Sequence, residues 1–191
     1  MPLAIKNLTK SFGDKVIFEN FNYTFSDKGI YVLVGNSGRG KTTLLRMIAG
    51  LDKDFKGEIT KAKTAYAFQE YRLFPTLNAL DNITKVLYEK PTEAETKEAK
   101  QFLTQMGFAD IDLRLFPAEL SGGMKQRVAL CRAFLSKAEI LLLDEPFKEL
   151  DAKLRTVLRE QIKKSAENRL IIMTAHSQEA LGDLKKTIID L

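Results

Sequence analysis

The chain has one cysteine, Cys131, and one histidine, His176. A lone cysteine excludes a disulfide framework within the chain. Its setting, Val128-Ala129-Leu130-Cys131-Arg132-Ala133, is that of a small packing residue rather than a nucleophile. Long apolar runs are also missing. Stretches such as Ile140-Leu141-Leu142-Leu143 fall far short of the roughly 20 residues that cross a bilayer. The opening Met1-Pro2-Leu3-Ala4-Ile5-Lys6-Asn7 carries neither the apolar core nor the cleavage site of a secretory signal. The expectation is a cytosolic chain whose membrane role comes through a partner. Charge of one sign is not concentrated either. The net charge is +5 and the pI about 9.2, yet basic residues are interleaved with acids, as in Glu93, Glu95, Lys97, Glu98 and Lys100. That scatter describes a solvated mixed surface, and no nucleic-acid partner is expected. There is no internal repeat and no low-complexity segment.

What is present is the composition of a globular domain. In 191 residues, 45% are hydrophobic and 29% charged, enough for one sizeable core with a small attached subdomain. Gly29-Ile30-Tyr31-Val32-Leu33-Val34 predicts a strand that breaks at Gly35. A helix from Lys41 to Ala49 follows, stopped by Gly50. Leu3 to Phe25 contains β-prone runs separated by turn residues, an antiparallel portion beside the main sheet. Thr64 to Phe68 predicts another strand, ending at Gln69. Asn78 to Met106 is predicted helical with a break at Pro91, and Gly107 as its stop. A helix after Gly123, a strand at Glu139–Leu143, a helix through Leu154 and Ile162, and a strand at Arg169–Thr174 complete an alternating pattern. A helix from Ser177 and a strand at Thr187–Leu191 end it. Alternation of this kind predicts an α/β fold with a parallel sheet.

Two glycine-bearing motifs carry the chemistry. Gly35-Asn36-Ser37-Gly38-Arg39-Gly40-Lys41-Thr42 matches the P-loop pattern. Its glycines let successive N–H groups converge on phosphate oxygens, and the helix N-terminus adds partial positive charge. Lys41 neutralises β- and γ-oxygens in such a loop, and the Thr42 hydroxyl ligates Mg²⁺; Thr43 extends the contact. The strand Leu141-Leu142-Leu143 delivers Asp144 to the sheet's C-terminal edge, where it can hold a Mg²⁺ shell. Glu145, one residue on, is placed to polarise an attacking water as general base. The second motif, Ser121-Gly122-Gly123, opens a helix and offers another set of N–H groups to phosphate.

Ser121-Gly122-Gly123 with Gln126-Arg127, set between a P-loop and Leu-Leu-Leu-Asp-Glu, resembles the signature of the ATP-binding cassette (ABC) family. The resemblance covers nearly the whole chain. It implies a P-loop NTPase (RecA-like) core with an antiparallel β portion and an inserted α-helical subdomain. By the same resemblance Gln69 is the Q-loop residue that contacts Mg²⁺ and water, Asp151 belongs to the D-loop, and His176 is the switch histidine. Phe12 stands where the family places an aromatic, usually tyrosine, that stacks on adenine. Departures are few. Arg39 is bulkier than the small residue common in the loop, and the signature continues Met124-Lys125-Gln126. The D-loop reads Lys148-Glu149-Leu150-Asp151 where Ser-Ala-Leu-Asp is usual.

Family geometry implies that the P-loop of one cassette and the Ser-Gly-Gly of a second enclose one ATP. A single cassette over residues 1–191 is expected, with residues 1–72 and 124–191 as core and about 73–123 as helical subdomain. The stretch Phe68 to Ile83 is similar to that of nitrate-, sulfonate- and taurine-type importer cassettes. The implied partners are a second cassette, an integral membrane permease and an extracytoplasmic solute-binding protein, with the chain peripheral on the cytoplasmic face of the membrane. A non-transport ABC ATPase or a regulatory cassette is the alternative. The chain is also expected to be a minimal cassette without a regulatory domain.

Overall fold

The computed structural model describes residues 2–175 and 181–191. His176 and the start of the helix expected from Ser177 lie outside the described residues. Along the chain come β1 (Ala4–Phe12), β2 (Lys15–Thr24), β3 (Gly29–Val34), α1 (Lys41–Ile48), β4 (Lys56–Ile59), β5 (Thr64–Ala67), α2 (Asp81–Leu87) and α3 (Glu93–Gln105). After two short 3-10 turns follow α4 (Gly122–Leu135), β6 (Ile140–Leu143), α5 (Ala152–Ala166), β7 (Leu170–Thr174) and β8 (Thr187–Asp190). Residues cluster into two compact units, Met1–Tyr66 with Ala138–Asp144 and Ile162–Leu191, and Ala67–Lys137 with Glu145–Gln161.

The first unit is built around sheets. β2, β1 and β4 form an antiparallel sheet in that order. In β1, Ile5 and Leu8 are both buried although they stand three residues apart. Strict alternation would send one of them outward. A register shift between them, with Asn7 in the left-handed region at φ 51°, restores the inward direction. Aromatic side chains of β2, β3 and the turn between them pack behind this sheet: Tyr23 and Phe25 have ring centres 4.7 Å apart, and Phe25 and Tyr31 5.0 Å.

The second sheet has the order β5-β6-β7-β3-β8, with β3 parallel to β7 and β8, and β6 parallel to β7. Every residue of β6 and β7 is buried. Burial of both faces accounts for their unbroken apolar sequences. α1 places Leu44, Leu45, Met47 and Ile48 in the core. Gly40 precedes it at φ 95°, and a Cβ there would run into the Ile17 side chain and come within 2.9 Å of the Phe18 ring. Only glycine fits this entry to the helix.

The second unit is mainly helical. The predicted helical stretch divides into α2 and α3, separated by the segment that holds Pro91. Thr92 and Glu95 form a reciprocal cap at the start of α3. Ile83 and Leu103 are fully buried, each stabilising the unit by roughly 1.5–3 kcal/mol. Arg127 of α4 donates to the Met106 carbonyl at 2.7 Å, satisfying an acceptor at the end of α3. Asn82, also fully buried, accepts from Phe74 N and donates to the carbonyls of Phe74, Leu77 and Asn78. One amide side chain thereby shapes the loop downstream of Gln69.

Candidate functional site

The first unit contains the P-loop residues and Asp144. β3 ends at Val34, the glycine loop follows, and Lys41 is the first residue of α1. Lys41 is only 8% exposed, and its ammonium donates to the carbonyls of Gly35 at 2.8 Å and Asn36 at 3.0 Å. A buried cation needs such partners. Of its three donors, two are met by dipoles of its own loop, which a phosphate oxygen would replace as a stronger acceptor. Asn36, Ser37, Gly38, Arg39 and Thr42 are exposed, and Thr43 is half-buried.

Asp144 follows β6 and is buried. Its Oδ1 accepts from the Thr174 hydroxyl at 2.7 Å and its Oδ2 from the Tyr66 hydroxyl at 3.1 Å. The carboxylate is therefore held from two other strands, β7 and β5. β7 also lies between β6 and β3 in the sheet, so Asp144 and the P-loop both leave the C-terminal edge of one parallel array. Tyr66 and Thr174 escaped the sequence reading. Their only signal was a polar group at or near a strand end.

Phe12 ends β1 and is 53% exposed. Lys10 Nζ stands 4.7 Å from the centre of its ring. Lys10 is itself buried and paired with Asp52 at 3.1 Å and with Asp54 at 3.3 Å. Burial pushes this ammonium's pKa down, but hydrogen bonds and charges from Asp52 and Asp54 outweigh it and hold the pKa above its usual value.

The second unit contains Gln69, the signature, Glu145 and Asp151. Gln69 is exposed, two residues past the end of β5. Ser121 caps α4, its hydroxyl oxygen accepting from Met124 N at 3.2 Å, and Gly122 and Gly123 form the first turn. Gln126 donates to the carbonyls of Glu145 and Pro146, both at 3.3 Å. The signature helix thus grips the backbone of the predicted base, a role the sequence alone did not assign. Glu145 adopts φ 52°, a conformation that side-chain-bearing residues rarely hold without support. Lys148 Nζ lies 4.0 Å from its carboxylate. Asp151 accepts from Leu154 N at 2.8 Å and so caps α5. Tyr71 donates to Glu149 at 2.9 Å. Burial, then the hydrogen bond and charge of Glu149, raise the Tyr71 pKa.

A family model described as ABC transporter matches residues 18–148. The chain belongs to the ABC transporter family. This ABC chain is 34% identical over 209 residues to a sulfate/thiosulfate import ATP-binding protein of Halalkalibacterium halodurans, covering 99% of the chain and 58% of that protein. To a spermidine/putrescine import ATP-binding protein of Mycoplasma capricolum it is 34% identical over 203 residues, again with 58% of the relative covered. The chain therefore spans little more than half the length of these relatives. With an aliphatic sulfonates import ATP-binding protein of Bacillus cereus it shares 39% identity over 199 residues, covering 95% of the chain and 78% of the relative. Among solved structures it is similar to a dimeric ATP-binding cassette in a post-hydrolysis state bound to ADP and Pi. The TM-score is 0.83 at 26% identity, over 99% of this chain and 94% of that one. The ABC cassette fold, with its parallel core, antiparallel sheet and helices, is the fold the sequence led us to expect. No helix among the described residues is long and apolar enough to cross a membrane.

Proposed function

We propose that the chain is the ATP-binding and ATP-hydrolysing subunit of an ABC importer, acting as one of two paired cassettes. The observation that carries this reading is Lys41, a buried ammonium curled onto the carbonyls of its own glycine loop. In this reading the loop from Gly35 to Thr43 wraps the phosphates, Lys41 turns outward to the β/γ-oxygens, and Phe12 stacks on the base.

The residues suit Mg²⁺ as the accompanying ion. The Thr42 hydroxyl, the Gln69 side-chain carbonyl and the Asp144 carboxylate are hard oxygen donors. Among the described residues no group of three or more His, Cys, Asp or Glu gathers into a cage. Mg²⁺ takes few protein ligands in phosphate sites, the rest coming from phosphates and water. Bound there, Mg²⁺ would neutralise charge developing on the phosphates. Glu145 accepts the proton of a water attacking the γ-phosphorus while the bond to the bridging oxygen breaks, giving ADP and phosphate. His176 is assigned to the γ-phosphate by its motif position. Ser121, Gly122 and Gly123 serve the nucleotide of the second cassette, and Asp151 the contact between cassettes.

On this reading ATP drives the pair closed because it binds the closed state better than the open one. The transport partners are a membrane permease, met on the cytoplasmic face, and an extracytoplasmic solute-binding protein. Steady-state phosphate release by the purified chain, alone and with its membrane partner, tests the proposal. Absence of turnover in both conditions would leave only a binding or regulatory cassette.

A further inference from the structure

The D-loop of this chain carries Lys148 and Glu149 ahead of Asp151, and Glu149 has a use. A Cβ built on Gly122 would lie 2.8 Å from a Glu149 carboxylate oxygen and 3.4 Å from the Tyr71 hydroxyl. Built on Gly123, it would lie 3.3 Å from the Glu149 carbonyl oxygen. The D-loop therefore rests directly on the two signature glycines, with no room for a side chain between. Tyr71 donates to the same carboxylate oxygen at 2.9 Å. The Glu149 backbone sits at φ 59°, a left-handed conformation that costs energy in a non-glycine residue unless neighbours support it. α4 has no acidic residue in its own first turn, so Glu149 brings negative charge to that helix end from elsewhere in the chain.

A helix N-terminus attracts anions through its unpaired N–H groups and partial positive charge. We infer that Glu149 is a gate on the signature. In the isolated cassette its carboxylate, steadied by Tyr71, occupies the approach to Gly122 as an internal anion. It must swing away before a second cassette's nucleotide is received there. This inference rests on the two-cassette reading above. A phosphate and a carboxylate carry like charges and cannot share one helix end without repulsion. The gate therefore raises the ATP concentration needed to close the pair. Tyr71 lies two residues after Gln69, so a Q-loop that shifts on nucleotide binding would pull on the hydrogen bond that steadies the gate.

The test compares Glu145→Gln with Glu145→Gln/Glu149→Ala and Glu145→Gln/Glu149→Gln. Dimer formation is followed by analytical ultracentrifugation during a Mg²⁺-ATP titration of the full chain. The gate predicts half-maximal dimerisation at roughly 3- to 10-fold lower ATP in both double variants, from loss of one helix-end charge interaction. Glu145→Gln/Tyr71→Phe should shift in the same direction and by less. A second readout uses chain labelled with 3-fluorotyrosine, the Tyr71 ¹⁹F signal being assigned through Tyr71→Phe. Glu149→Ala should move that signal in the nucleotide-free monomer, and ATP should move it likewise in the Glu145→Gln chain. Equal ATP dependence with and without Glu149 overturns the gate alone. No dimer in any variant, with the ¹⁹F signal still answering to Glu149→Ala, overturns the two-cassette reading and the gate with it.

Discussion

Thr174, the last residue of β7, donates its hydroxyl hydrogen to Asp144 Oδ1 at 2.7 Å, and both residues are buried. One core strand thus fixes the carboxylate that follows its neighbour. Valine has the shape of threonine without the hydroxyl, so Thr174→Val removes this bond at nearly constant shape. It should destabilise the fold by about 1–3 kcal/mol, because a buried carboxylate loses a donor. Urea unfolding measures the stability loss, and a Mg²⁺ titration of ATPase activity should show a rightward shift. Unchanged values for both would mean that Tyr66 alone positions Asp144.

Glu145→Gln keeps the shape of the proposed base and removes its proton affinity. ATP hydrolysis should fall by about 10²- to 10⁴-fold, with nucleotide binding retained and a dimer that persists on size-exclusion chromatography. Lys41→Ala should do the reverse. Losing a charged partner for phosphate costs about 1.5–3 kcal/mol, or about 10- to 100-fold in ATP affinity. Fluorescent-nucleotide titration separates the two variants.

Lys10 supplies a pH signature. Its folded-state pKa lies above the ordinary value of 10.5, so the folded chain binds this proton more tightly than the unfolded one. The stabilisation is complete below the unfolded pKa and is lost as pH rises through the folded one. The stability gap between the parent and Lys10→Met should therefore be flat from neutral pH to about pH 10, then narrow. Denaturant midpoints across that range provide the check. A gap that widens with alkalinity would contradict the pairing with Asp52 and Asp54.

Cys131 is buried and free, and burial pushes its thiol pKa far up. The thiolate is the reactive species. The native chain should leave a disulfide reagent unconsumed at pH 8, and one equivalent should react only after unfolding. Fast native labelling would show that α4 opens readily.

The sequence made the framework of the glycine loop readable because strand, loop and helix follow one another without a break from Gly29 to Ile48. β6 and β7 were equally plain, since burial on both faces leaves an unmixed apolar run. β4, Lys56-Gly57-Glu58-Ile59, was missed. Its four residues include two charges and a glycine, and it exists because β1 offers Ile5 opposite Ile59. The helical stretch expected from Asn78 starts instead at Asp81, because the Asn78 side chain accepts from Asp81 N at 2.8 Å. The contacts that tune the site were not readable at all. Tyr71 and Glu149 are 78 residues apart, as are Tyr66 and Asp144. No local pattern couples such pairs; only the folded topology does.

Ser121 and Asp151 each begin a helix with their own side chains. Any alanine scan of this cassette will therefore misreport them. The same substitution that removes the proposed contact to nucleotide or to a second cassette also frays α4 or α5, costing about 1 kcal/mol per cap. Asparagine caps as well as aspartate but carries no charge. Asp151→Asn consequently separates the electrostatic role from the architectural one. Ser121→Asn does the same for the hydroxyl. Experiments designed around these two replacements will read chemistry where alanine would read mostly fold.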